Sequence, residues 1–286
     1  MNPILLGSLT ALCWGTVDFI AGRTSATAGA IRTTAGVTIA GLILLTAWLA
    51  ASGTFPSLSQ GPIWLPLVAG AGFALATMCL FAAISSGPIS LAVPIVMAYP
   101  ATGTTLAAIL GDIPSAVQIA LAAVVMAGVL IVAVSEAAAE DAPADPARRR
   151  RTIVYAVSSH LIFLITVLAG QKAALAYGEI GSVWISRLAG TAVVLPFLFV
   201  REGASRMNFT ILVLFAVMGG LDVAALCLLF AAAGTAHPQL AVVCASAAGV
   251  VTVILAAIFL KEPIVLARWA GIAITFAGIA ALSAAS

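Results

Sequence analysis

The chain has 286 residues, of which 63% are hydrophobic and only 8% charged, against roughly 25% charged in an ordinary soluble domain, so a water-soluble fold is excluded. The net charge of +2, with most arginines at segment ends rather than along one face, excludes nucleic acid as a partner. Four cysteines, Cys13, Cys79, Cys227 and Cys244, lie inside apolar segments without metal-ligand spacing, and they read as small packing residues.

A membrane-spanning helix takes about 20 mostly apolar residues, and runs of that length follow one another from Pro3 almost to Ser286. Glycine, proline and charge punctuation predicts ten spans, over 3–22, 31–51, 64–85, 90–110, 115–135, 152–171, 180–200, 209–232, 238–259 and 264–283. The first resembles a signal peptide only in the small residues that follow it. No positive segment precedes it and further spans come after, so it is expected to be a retained helix.

Within span one, Trp14 and Asp18 stand one turn apart and share a face. Together they suit a cationic amine, through ring and carboxylate; the plainer reading pairs Asp18 with Arg23 or Arg32 at the inner interface. Span four carries Pro94, Tyr99 and Pro100. Each proline frees a backbone carbonyl and favours a kink, and in a membrane that carbonyl must face protein or a wet cavity. A polar pocket lined by Tyr99 is expected there, or else a kink that only shapes packing. Span five shows a stripe of Ala116, Ala120, Ala123 and Ala127, and span ten one of Gly271, Thr275 and Gly278. Such stripes let backbones approach; they are candidates for a homodimer face, with packing inside one chain the favoured alternative.

A polar stretch over 136–151, holding Glu140, Asp141, Pro143, Asp145, Pro146 and Arg148 to Arg151, reads as a solvated linker between a first unit over 1–135 and a second over 152–286. In the second unit His160 lies beside Ser158 and Ser159 and is placed either to exchange protons or to pack as a hydrogen-bonding residue. Arg187 in span seven is either a clamp for a substrate carboxylate or a residue that snorkels outward or pairs with Glu179. Ionisable groups in a span cost a few kcal/mol on insertion scales, which makes Asp222, set among Gly219, Gly220 and Ala224 in span eight, the sharpest candidate. Its plainer reading is a structural carboxyl bonded to a neighbouring helix. Ser246 in span nine is the counterpart of Met97 in span four.

That correspondence comes from a repeat. An offset of 149 positions lays Leu91, Ala92 and Val93 on Leu240, Ala241 and Val242, and Phe81 and Ala82 on Phe230 and Ala231. One further residue, an offset of 150, brings Asp112 to Glu262 and Gly128 to Gly278. Putting the linker inside places Arg23, Arg32, Arg148 to Arg151, Arg201, Arg206 and Lys261 there as well, with Lys172 the main exception. Both termini are then expected outside, which is periplasmic for a bacterial inner membrane. Five spans is an odd number, so the two units are expected to be inverted relative to each other, a recurrent transporter architecture with its site near the midplane.

The order of Trp14-Gly15, of Phe81 to Pro88, of Tyr99-Pro100, of Gly111-Asp112 with Ala127-Gly128, and of Lys261-Glu262-Pro263 with Ala277-Gly278 resembles the drug/metabolite transporter superfamily, and within it the EamA-type ten-helix permeases. The resemblance covers essentially the whole chain. It implies an all-α membrane fold in which spans one to four and six to nine enclose a central cavity, with spans five and ten peripheral. It also implies export of amino acids or related metabolites. The second unit departs from the pattern, with Ala248-Gly249 in place of Tyr99-Pro100 and Phe163 in place of Trp14.

The expected function is therefore a secondary transporter, an exporter of small metabolites and foremost of amino acids, working by alternating access. The alternative is a permease for drugs or other metabolites. No Gly-rich phosphate loop followed by Lys and Ser/Thr occurs, and no converging nucleophile, base and metal ligands point to an intramembrane enzyme. A channel has no positive signal. The expected partners are a small solute and the bilayer, with no cofactor, metal ion or catalytic residue.

Overall fold

The computed structural model describes residues 1–86, 95–96, 102, 114–137, 146–201, 208–260 and 266–285. Among them the structure is helical and contains no strand: α1 (Pro3–Ala28), α2 (Ala30–Ser52), α3 (Trp64–Ser86), α4 (Ala116–Ala137), α5 (Pro146–Arg201), α6 (Phe209–Ala231), α7 (Pro238–Ala245), α8 (Ala248–Leu260) and α9 (Leu266–Ala284). Pro94, Tyr99 and Pro100 fall outside the described residues, as does most of predicted span four.

Local chemistry sets the ends of these helices. Gly29, at φ 89, is the single residue between α1 and α2, and Gly53, at φ 67, closes α2 with its N–H on the Leu49 carbonyl; both conformations favour glycine. Ser115 and Gln118 bond each other's backbone N–H groups at 3.2 and 3.0 Å, a capping box that starts α4 where the sequence predicts it. Asn208 caps α6 by accepting from the Thr210 N–H at 3.3 Å.

Five helical stretches among the described residues are long and apolar enough to cross a membrane, and Arg149–Val200 has 52 residues. At 1.5 Å per residue that is about 78 Å, far more than a hydrocarbon core of about 30 Å. Gly178, at φ 69 and ψ 165, breaks it into two arms, which correspond to predicted spans six and seven. Helix α3 packs on both arms: Ser159 donates to the Ala76 carbonyl and Ser186 to the Pro66 carbonyl, each at 2.9 Å. Two boundaries differ from the sequence reading. Arg149 to Arg151, assigned to the linker, are exposed but helical, because Pro146 at the first position and an Ala-Arg run suit a helix start. Predicted span nine is two helices, α7 and α8, parted at Ser246 and Ala247.

Lipid tails are as apolar as leucine, so close backbone contact and interhelical hydrogen bonds hold such a bundle together. A Cβ on Gly219 would lie 2.6 Å from the Gly41 nitrogen, so α2 and α6 cross there through bare backbone. The same holds between α4 and α9. A Cβ on Gly128 would meet the Thr275 nitrogen at 2.7 Å, and one on Gly278 would meet the Val125 nitrogen at 3.2 Å. The stripe of span ten is thus spent inside the chain. The alanine stripe of span five is not: Ala116, Ala120, Ala123 and Ala127 are all exposed, while α4 buries Ala122, Val125, Met126 and Val129. The intramolecular role favoured for those alanines is therefore corrected, because the branched residues and Met126 on the opposite face offer more contact area to the core.

Candidate functional site

Four helices converge on Asp222. It sits mid-way along α6, is 4% exposed, and has a partner on each carboxylate oxygen. The Trp14 indole Nε1 of α1 donates to Oδ1 at 2.8 Å, and Arg187 Nη2, from the second arm of α5, forms a buried ion pair with Oδ2. The Arg187 guanidinium also lies 5.8 Å from the centroid of the Phe73 ring of α3. A planar, permanently charged group bonded to a carboxylate and laid near a ring face is a use of arginine that lysine does not match. Trp14 stacks on Phe73 at 6.3 Å between centroids, and Phe163 meets the same ring edge-on at 5.8 Å.

This network forms one side of a cavity of about 250 Å³. That is room for a small solute rather than for water alone, whose share of liquid volume is about 30 Å³. Trp14, Asp18, Phe73, Phe163, Asp222 and Ser246 all line it. So does Gly249, where an added Cβ would meet no atom within 4 Å. A side chamber of about 20 Å³ adjoins it behind Phe73, lined by Arg187, Thr166 and Thr38 among others. There the Arg187 Nε and the Thr166 hydroxyl are buried with no hydrogen-bond partner among the described residues.

The sequence candidates separate into distinct places. Trp14, Asp18, Asp222 and Ser246 share the main cavity, while Arg187 reaches only the side chamber. Asp222 is the structural carboxyl of the plainer reading and a cavity residue at once, since its basic partner comes from another helix. Arg187 neither snorkels nor pairs with Glu179; it is 3% exposed and held by Asp222. Asp18 is exposed to the cavity, and no ion pair or hydrogen bond engages it among the described residues. Ser246 is buried and donates to the Val243 carbonyl at 2.6 Å.

His160 stands elsewhere. Its Nδ1 contacts the Ile95 carbonyl at 2.9 Å and its Nε2 the Thr102 hydroxyl at 3.0 Å, and it lines neither chamber. A carbonyl only accepts, so Nδ1 carries the proton, and in the neutral ring Nε2 accepts from Thr102. Sequence reasoning missed Phe73, an aromatic in an apolar helix that gives no signal by type. The offset of 149 that takes Trp14 to Phe163 takes Phe73 to Asp222, and that coincidence was the available clue.

The comparisons with known proteins agree with this architecture. One solved crystal structure, described only as that of a protein, superposes with a TM-score of 0.77 at 16% identity, covering 99% of this chain and 98% of that one; at that identity the likeness is one of fold. None of the curated proteins compared matches the chain. The sequence profile of the EamA-like transporter family matches twice, over residues 1–134 and 150–284. The chain belongs to the EamA-like transporter family and is a multi-pass membrane transporter of small molecules.

Proposed function

We propose that the protein is a secondary transporter that exports amino acids and related small metabolites across the bacterial inner membrane by alternating access. The units over 1–135 and 152–286 rock about the central cavity, with inverted topologies and both termini in the periplasm. The observation that carries this reading is reciprocity between contacts. Trp14 touches Asp222, and the residues 149 positions from each, Phe163 and Phe73, touch each other. Gly128 lies against Thr275, and the residues 150 positions away, Gly278 and Val125, likewise meet.

Paired contacts that exchange under one offset are what a two-fold axis between two repeats produces. A carrier built that way has two mirror-related ways to close, one per side, around a fixed midplane site. The break between α7 and α8 at Ser246, beside the cavity, is the kind of helix discontinuity that such sites use.

Flux in vesicles reconstituted with the full chain tests the proposal. Saturable uptake of an amino acid, with competition by unlabelled solute, is the expected result. Ohmic flux would make the protein a channel, and formation of a product an enzyme. Saturable flux of structurally unrelated drugs with no amino-acid competition would favour a multidrug permease. A reporter fused after Ser286 is expected to lie outside; cytoplasmic activity there would overturn the orientation and leave the cavity untouched.

A further inference from the structure

We infer that the central cavity selects a monocationic amine with an apolar or aromatic body and no free carboxylate, and that Asp18 is the group that binds its ammonium. Among the amino acids and related metabolites of the reading above, the inference favours the amine that lacks the carboxylate over the amino acid itself, and it rests on that reading only in taking the cavity as the solute site.

Charge balance comes first. Two acids line the cavity, Asp18 and Asp222, and no basic residue does so among the described residues. Asp222 is neutralised from behind by Arg187. Asp18 has no such counterpart among the described residues, which leaves it the one acid on the wall without a basic partner there. Uncompensated charge inside a membrane protein is costly, and a ligand of charge +1 removes that cost where a zwitterion or an anion does not.

Hydrogen-bond polarity points the same way. Three hydroxyls on the wall have their protons committed to carbonyls one turn back: Thr33 to Gly29 at 2.9 Å, Thr38 to Thr34 at 2.8 Å and Thr77 to Phe73 at 2.9 Å. Ser246 donates to Val243 in the same way, and the Trp14 N–H is held by Asp222. Each of these four hydroxyls presents only acceptor lone pairs to the cavity. An ammonium, with donors and no acceptor, matches such a wall, while a carboxylate meets acceptors facing acceptors. Of the donors left over, the Thr166 hydroxyl borders both chambers, while Arg187 Nε borders only the side chamber, whose roughly 20 Å³ admits a water and not a carboxylate.

The rest of the lining fixes the body of the ligand. Val17, Leu80, Val96 and Phe163 supply apolar surface, and Trp14, one turn from Asp18, adds a ring face for a cation already held by the carboxylate.

The test is equilibrium binding to the purified full-length protein of three compounds that share one phenyl body: phenethylamine, phenylalanine and 3-phenylpropionate. Phenethylamine is expected to bind at least about ten-fold tighter than either of the others, a difference of one charge in a partly desolvated site. Asp18→Asn is expected to level the three affinities, and Asp18→Glu to keep the preference. Because Asp18 faces the cavity and anchors no hydrogen bond, both variants are expected to retain wild-type helicity and elution volume. Equal affinity for phenylalanine or phenylpropionate in the wild type, no binding of phenethylamine, or a preference that survives in Asp18→Asn would each overturn the inference. Charge-selective binding with no saturable flux sinks the transporter reading alone, and saturable flux without charge selectivity sinks this inference alone.

Discussion

Trp14 and Asp222 belong to opposite units of the chain and are joined by a 2.8 Å hydrogen bond from the indole Nε1 to the carboxylate Oδ1. With Arg187 on the other oxygen, the carboxylate ties α1 and the second arm of α5 to the middle of α6. A charge deep in a membrane bundle is tolerable only in such company, and the side chain most exposed to misreading as a free binding group is therefore a keystone of packing.

The first prediction concerns that pair. Asp222→Asn keeps the shape and removes the charge, leaving the Arg187 guanidinium buried without compensation. Breaking a buried ion pair from one side costs about 3–5 kcal/mol, so thermal unfolding in detergent should fall clearly below wild type. A double variant, Asp222→Leu with Arg187→Met, removes both charges and should recover much of the loss. An unfolding midpoint for Asp222→Asn equal to wild type would show that the pair contributes nothing.

The cavity itself gives the second. At Gly249 a Cβ meets nothing within 4 Å, and the residue lines the chamber. Gly249→Leu is therefore expected to fold normally while its side chain takes up the space a solute needs, lowering flux by about ten-fold or more against roughly 1 kcal/mol or less in stability. Wild-type flux in a variant that elutes normally would place the solute path elsewhere.

Much of this was legible in the sequence, and the exceptions have physical causes. Apolar length located the helices because a bilayer tolerates little else, and the repeat was visible because it preserved small and apolar residues at contact positions such as Gly128 and Gly278. Trp14, Asp18 and Ser246, singled out by residue type, helical position and repeat, line the cavity. What the sequence hid was pairing across the bundle. Asp222 has no basic residue one turn away, and its partner stands 35 positions upstream on another helix, so spacing alone left both groups looking unattached. Phe73 was hidden for the opposite reason: it is one apolar ring among many, and only its contacts with Trp14, Phe163 and Arg187 distinguish it. The alanine stripe of α4 lies on the exposed face of the helix, and small-residue spacing alone does not tell an outward face from an inward one.

The last prediction separates proton exchange from packing at His160. An imidazole in a span invites a coupling role, yet both ring nitrogens here are occupied, Nδ1 by the Ile95 carbonyl and Nε2 by the Thr102 hydroxyl, and the ring lies outside both chambers. It joins the first arm of α5 to residues 95 and 102 of the other unit. His160→Phe removes both bonds, each worth about 1 kcal/mol net, so the unfolding midpoint should drop modestly. The dependence of flux on pH should keep its wild-type shape, because no group in the solute path has changed. A flattened profile in a variant of normal stability would instead assign His160 to proton movement.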